Sequence, residues 1–436
     1  MEPLFSAVIC GCNAGQFREA LHKVYIPRIQ RGDSYFAANV LGARGPLLSV
    51  LVHFFEQGRW GSPVETGVEE QSLTAEDQLF ILMQAGLYLT ATRGLAASEA
   101  RTCHERAELL CHSLNHPRLL CIALRGQFRY ALNAEKLSTA LQIVERVYSL
   151  AQEQNDAALM IGAYNGLACT LLSLGDFESA RQYASRGVQI WRSGNVQSYA
   201  EDFHSPVVGC LCYGAMAEWY LGEIASCQAN MAEAIALAKQ LNDINALAIA
   251  LHWATSLAAN ERNPAEVARF ASDLIQLSTR HNFVSSLAIG AVWRGWARSA
   301  LGDTAEGIPC IEQGIRDLRA TGTVLGMPFF LARKAQALYL ANRASEALEA
   351  ISEAEALAER FEHRGVFSRL QRLRGVFLTA LGADETQIEA SFRAAIRIAR
   401  EQKSISLKKR AEATYAEYHR QKLIASGGHG FRLRLW

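Results

Sequence analysis

Apolar and small residues return along this chain with helical spacing. In "LLSLGDFESARQYASRGVQIW" Ala180, Ala184 and Gly187 stand at i, i+4 and i+7, beyond a Leu-Gly break at 174–175. That pattern predicts a helix ending at the glycine and a second helix whose apolar stripe packs back on the first. Ala, Leu, Glu, Arg and Gln are abundant, β-branched runs are few and only nine prolines occur, so nearly the whole chain is expected to be helical.

The frame repeats. From Gly302 in "GWARSALGDTAEGIPCIEQGI", steps of 40 residues reach Arg262 and Gly222 in one direction and Asn342 and Gly382 in the other. A step of 47 then reaches Gly175 and another of 40 reaches Glu135, with Gly94 and Gly15 as weaker members. Five residues after the turn stand Ala140, Ala180, Cys227, Val267, Gly307 and Ala347; twelve after stand Gly187, Ala234, Leu274, Gly314, Ala354 and Ala394. Seven before it stand Ala168, Ala215, Thr255, Gly295, Ala335 and Gly375. Most of these are small, as helices joined by a tight turn require where their backbones approach. A helix pair of this kind cannot bury its apolar face alone, and stacking of neighbouring pairs completes the core.

The predicted fold class is therefore all-α, an α-α superhelix of about eight to nine helix pairs with a period of about 40. Residues 1–30 read as a degenerate first pair, 31–76 as an irregular segment with a helix, 77–425 as the repeat array and 426–436 as a disordered Gly-rich tail. Between Gly175 and Gly222 the stretch "SGNVQSYAEDFHSPVVG" adds seven residues, expected as an edge loop in which Asp202 and His204 are read as solvated or capping the next helix, with a polar site as the alternative.

The spacing resembles the tetratricopeptide repeat, best in "YNGLACTLLSLGDFESARQYASRGVQIW", where Tyr164, Leu167, Ala168, Leu171, Gly175, Phe177, Ala180, Ala184 and Gly187 hold motif positions. It departs in a period of 40 against the usual 34 and lacks the terminal proline. HEAT or armadillo repeats, at about 40 to 47 residues, are the alternative architecture. From about Leu79 to Gln421, segments such as "WRGWARSALGDTAEGIPCIEQGIRDLRATGTVLGMPFFLA" look like the helical region that ends large bacterial signalling proteins. In those proteins a nucleotide cyclase or DNA-binding domain precedes a signal-transduction ATPase module. The resemblance implies a sensing or protein-interaction arm, with a functional link to a cyclase or P-loop ATPase and, as a further alternative, a transcriptional regulator's arm.

Charge narrows the partners. With 44 Lys+Arg against 43 Asp+Glu, the net charge of +1 offers no general attraction to nucleic acid or anionic membrane, and no direct nucleic-acid binding is expected. The basic run 403–422 is diluted by Glu412 and Glu417. No stretch of about 18 consecutive apolar residues occurs, Glu2 stands where a signal peptide is positive, and ten scattered cysteines suit buried thiols, so a cytoplasmic protein is expected. The Arg-Gly-Asp at 31–33 reads as accidental.

No catalytic residues, cofactor or metal are assigned. Neither "GARGPLLS" nor "GGHGFRLR" has the Lys-Ser/Thr ending of a phosphate-binding loop, and no G-x-S-x-G or kinase set is present. His104, Glu108, His112 and His116 step by four, but four-residue steps drift around a helix, so the row reads as a solvated face. Cys10/Cys12 and Cys210/Cys212 are C-x-C pairs in helical frames that point the thiols apart. The functional candidates lie on the first helix of each pair, about thirteen, ten, six and three or two residues before the turn. They are Asn165, Cys212, Trp219, Tyr220, His252, Asn260, Trp296, Gln336, Tyr339, Arg369 and Arg372. Aromatic, amide and cationic groups in one row suit a groove for a protein or peptide partner.

Overall fold

The computed structural model describes residues 1–32, 35–39, 41–194, 196, 199, 202–424 and 431–435. Among the described residues every regular element is helical, apart from one isolated bridge between Phe55 and Pro63. Helix α1 (Glu2–Asn13) packs on a helix that begins as α2 (Phe17–Glu19) and widens to π-type over Ala20–Gln30, with Pro27 inside it. Two short helices follow, α3 (Phe36–Asn39) and α4 (Arg44–Leu51).

The repeat array comprises α5 (Ala75–Arg93), α6 (Ser98–Leu114), α7 (Pro117–Ala134), α8 (Leu137–Gln154), α9 (Ala157–Leu174), α10 (Phe177–Gly194), α11 (Pro206–Leu221) and α12 (Ile224–Gln240). It continues through α13 (Ile244–Asn260), α14 (Pro264–His281), α15 (Val284–Ala300), α16 (Thr304–Ala320), α17 (Met327–Leu340), α18 (Ala344–Arg360), α19 (Phe367–Ala380), α20 (Glu385–Glu401) and α21 (Ile405–Ile424). From α5 to α20 these are helical hairpins, and α21 follows singly. The helices of the middle hairpins, α13 to α16, have 17 or 18 residues each, so there the residues beyond a 34-residue unit are taken up as helix.

The turns set the register. Gly175, Gly222, Arg262, Gly302, Asn342 and Gly382, all on the 40-residue frame, take φ between 62° and 108°, the left-handed conformation that closes a helix C-terminus. Glu135 is extended instead. A second series, absent from the sequence reading, closes the outer helices: Asn115, Asn155, Asn242, Asn282, Gly322, Glu362 and Lys403, with φ between 48° and 75°. Several helices then start on a capping side chain; Asp156, Asp243 and Asp303 accept from the backbone N–H groups of Leu159, Ala246 and Glu306 at 3.0, 2.9 and 3.2 Å.

The small-residue columns are contacts between paired helices. A Cβ on Gly295 would stand 2.5 Å from the Gly307 carbonyl oxygen, and one on Gly314 would stand 2.6 Å from that of Ala288. Ala140, Ala180, Ala234, Ala335, Ala347 and Ala354 are fully buried. At the last hairpin the buried position is Ala395 and not Ala394. The spacing from Glu362 to Lys403 has one residue more than the period, which rotates the stripe.

Inner and outer helices differ as their sequences imply. Outer α14 buries one stripe, Val267, Ala271, Leu274 and Ser278, whereas inner α11 is buried without a break from Pro206 to Trp219. Inner α9 is long and apolar enough to cross a membrane by composition, with mean hydropathy 1.6, yet 67% of it is buried among its neighbours.

One feature departs from an open groove: the coil closes on itself. Val324 N–H donates to the Asn133 carbonyl at 2.7 Å, and Leu137 N–H donates to Phe361 at 3.3 Å. Ser404 and Ser406 hydroxyls donate to the carbonyls of Tyr220 and Trp219 at 2.9 and 2.5 Å. The concave face is thus a lumen, walled by inner helices and sealed where the first half of the coil meets the second. Part of the stretch expected as a disordered tail lies against this wall. Tyr339 Oη donates to the Leu433 carbonyl at 2.8 Å, and Leu433 and Leu435 are buried. Leucines two apart share one face of an extended chain, which lets the segment bury both. Residues 425–430 and 436, like Asp33 of the Arg-Gly-Asp and Asn195 of the edge loop, lie outside the described residues.

Candidate functional site

The inner helices bring side chains from six hairpins around a cavity of about 260 Å³ in the lumen. Its wall is mainly apolar, with Phe128, Met216, Tyr213, Trp253, Ile289 and Phe330 prominent. Three predicted residues reach it: Asn165, Tyr220 and His252. Four of the polar atoms there have no hydrogen-bond partner among the described residues: Asn165 Oδ1, both ring nitrogens of His204 and Nδ1 of His252. Burial holds the His252 and His363 imidazoles down to about 4, and burial together with Arg129 and Arg125 holds His204 well below its ordinary value. All three are therefore neutral near pH 7, able to donate with one nitrogen and accept with the other. Arg129, the second cation at this end, is pushed down to about 9 by burial and by Arg125.

The other predicted residues lie deeper. Trp296 Nε1–H donates to Gln336 Oε1 at 2.8 Å, and Arg333 donates to the same oxygen at 3.1 Å. Asn260 Oδ1 accepts from Arg333 at 3.2 Å and from Arg369 at 2.9 Å. Trp219 is buried under the Arg410 guanidinium, 4.7 Å from its ring centroid. Tyr339 and Arg372 meet the 431–435 segment, Arg372 donating to the Leu435 carbonyl at 3.3 Å. The predicted row thus divides into a cavity set and a buried arginine set, and Cys212 packs in the core as a free thiol.

Two loop residues read as solvated are instead buried. Asp202 forms an ion pair with Arg125, both side chains under 10% exposed, and His204 lines the cavity. The described end of the insertion, residues 202–205, thus lies against the lumen, where the Asp202 carboxylate balances the buried Arg125 guanidinium of α7. In the four-step row, His104 is buried against Gly86 and Gly126, Glu108 pairs with Arg146 at 2.7 Å and His116 with Glu76 at 2.8 Å. Those side chains serve separate contacts. Of the basic run, Lys403 pairs with Glu178, Lys422 with Glu385 and Arg420 with Glu417, while Arg410 turns inward.

Sequence reasoning missed Arg333, Arg410 and His363. Arg333 lies nine residues before Asn342, beside the tenth-residue position taken as inward, since a 3.6-residue helix widens any stripe. Arg410 falls thirteen residues before 423, where the frame from Gly382 would place a further turn with the one-residue lengthening. His363 follows Glu362, whose turn belongs to the second series and had no sequence counterpart.

No protein-family model matches the chain. An uncharacterized protein of Rhizobium meliloti (strain 1021) is 22% identical over 361 residues, which cover 80% of this chain and 34% of that protein. The chain spans about a third of the length of this relative. Among solved structures, a Rap protein complexed with Competence and Sporulation Factor superposes with a TM-score of 0.51 at 11% identity, covering 91% of this chain and 99% of that one. Aspartyl phosphate phosphatase F from Bacillus subtilis gives a TM-score of 0.41 at 12% identity, covering 85% and 99%. The first likeness is one of fold, and it identifies this superhelix as tetratricopeptide-like.

Proposed function

We propose that the protein is a non-catalytic binding arm whose lumen takes a peptide segment of a protein partner. The observation that carries this reading is the cavity itself: a mainly apolar space in the coil's interior where Asn165 Oδ1, both ring nitrogens of His204 and Nδ1 of His252 have no hydrogen-bond partner among the described residues. Buried polar groups left unpaired cost about 1–3 kcal/mol each, so a site that retains them gains by meeting complementary donors and acceptors on a ligand. The Rap protein of similar fold was solved with Competence and Sporulation Factor, which supports a ligand-holding role for such a coil by fold likeness alone.

A finer reading places this arm in signalling, next to a nucleotide cyclase or P-loop ATPase. What supports it is length, for the Rhizobium relative has about two thirds of its chain outside the matched region. A neighbouring domain or reading frame with those modules would strengthen that reading, and its absence would weaken it.

Selection of random peptides displayed against the purified chain tests the binding reading. Peptides that bind should lose at least about tenfold in affinity to Ser256→Phe, which puts a ring into the cavity, and to Asn165→Leu, in variants of unchanged melting temperature. Equal affinity for wild type and both variants would remove the lumen as the binding site.

A further inference from the structure

The arginine set holds an unbalanced charge. Arg333 on α17 and Arg369 and Arg372 on α19 are buried, and Arg410 of α21 closes over them. Arg333 and Arg369 converge on Asn260 Oδ1, and Arg410 donates to the Asn260 backbone carbonyl. Among the described residues Arg372 donates to Thr414 Oγ1 and the Leu435 carbonyl, each at 3.3 Å. Among the described residues no carboxylate pairs with any of the four; each is held down by burial, and Arg333, Arg372 and Arg410 also by other arginines.

Aromatic faces offset part of this. The Arg333 guanidinium lies 5.2 Å from the Trp293 ring centroid, 5.1 Å from that of Trp296 and 4.5 Å from that of Phe329. Tyr220 adjoins Arg369, but among the described residues three buried donors have no hydrogen-bond acceptor: Arg333 Nε, Arg369 Nη1 and Asn260 Nδ2. A guanidinium in a protein keeps its proton, so the charge cannot be shed as a buried lysine or histidine would shed it. Unpaired donors on adjacent planar cations are what a two-oxygen anion satisfies.

We propose that Arg333, Arg369 and Asn260, with Arg372 and Arg410 around them, form an oxyanion-binding site that takes a carboxylate or phosphate group and adjoins the apolar cavity across Phe329 and Tyr220. Three sets of donors and four positive charges would meet one anion there, and the anion would neutralise the mutual repulsion of the guanidinium groups.

Inorganic phosphate and succinate are the probes, each compared with chloride at equal ionic strength, and the readouts are melting temperature and the fluorescence of Trp293 and Trp296. The expected result is a saturable rise in melting temperature with a fluorescence change, for phosphate alone if the natural group is a phosphate and for succinate as well if a carboxylate suffices. Arg369→Gln should raise the melting temperature in chloride, since it removes a buried unpaired charge, and should weaken the anion's Kd by about tenfold or more. Ser256→Phe, in the cavity, should leave the anion response unchanged, which separates this site from the peptide reading. Phosphate and succinate acting no more strongly than chloride on the wild type would overturn the proposal. So would Arg369→Gln lowering the melting temperature equally with and without anion, the signature of a purely structural residue.

Discussion

Acidification should unfold this protein from within, through histidines that burial keeps neutral. His252 and His363 are held at about 4 against an ordinary 6.5, with burial as the cause in each case. An unfolded chain binds their protons as the pH falls through 6.5, while the folded chain resists until about 4. Between those values the unfolded state therefore carries more protons, and stability falls as the pH falls. At about 1.4 kcal/mol per pH decade, each imidazole removes about 3 kcal/mol across that window, and the pair removes a large share of the roughly 5–15 kcal/mol by which domains are stable. Urea midpoints measured at pH 7.5, 6.5, 5.5 and 4.5 should fall steeply below 6.5. A His252→Asn, His363→Asn double variant should roughly halve that slope, whatever its absolute stability, since His204 and His104, also held down chiefly by burial, still contribute theirs. A double variant with the wild-type slope would refute the reasoning.

Further perturbations test the packing. Gly295→Ala should destabilise by about 1–3 kcal/mol through backbone overlap with Gly307, despite the roughly 1 kcal/mol that alanine gains in a free helix; hydrogen exchange should localise the opening to α15 and α16. Arg262→Gly should stabilise by about 1 kcal/mol in chemical denaturation, because a non-glycine residue holds φ of 64° there. Arg125→Leu should cost about 3–5 kcal/mol by taking the guanidinium from the buried Asp202 carboxylate, an effect that Asp202→Asn in the same chain should partly reverse. In thiol labelling of the native protein Cys10 should react ahead of the rest, since Cys12, Cys103, Cys169 and Cys210 are buried with thiols pushed up to about 12.

What could be read from the residues follows from what each position shares. The first turn series was visible because its flanking columns share a property of side chains, smallness, imposed wherever two backbones meet, as at Gly295 and Gly307. The second series was legible too: Asn stands at 115, 155, 242 and 282 and Gly at 322, the residues that take a left-handed φ most readily, and only Glu362 and Lys403 depart from that chemistry. The inward row located Asn165 and His252 at the cavity and Asn260 among the arginines, since helical spacing determines which way a residue points. That the coil would close, bringing Asn133 to Val324 and Trp219 to Ser406, depends on small crossing angles summed over several hairpins, and no local pattern encodes that sum. Closure is what turned the expected groove into a lumen and made the arginine row a buried cluster.

The most direct test of the lumen as binding site is to map where a selected peptide sits, using a benzophenone side chain within the peptide and mass spectrometry of the photoadducts. Binding in the lumen would give adducts on Met216, Trp253 and Phe330, which face the cavity from three inner helices. Adducts confined to the outer surface, such as the shallow groove at Gln228, Ala232 and Arg269, would contradict it.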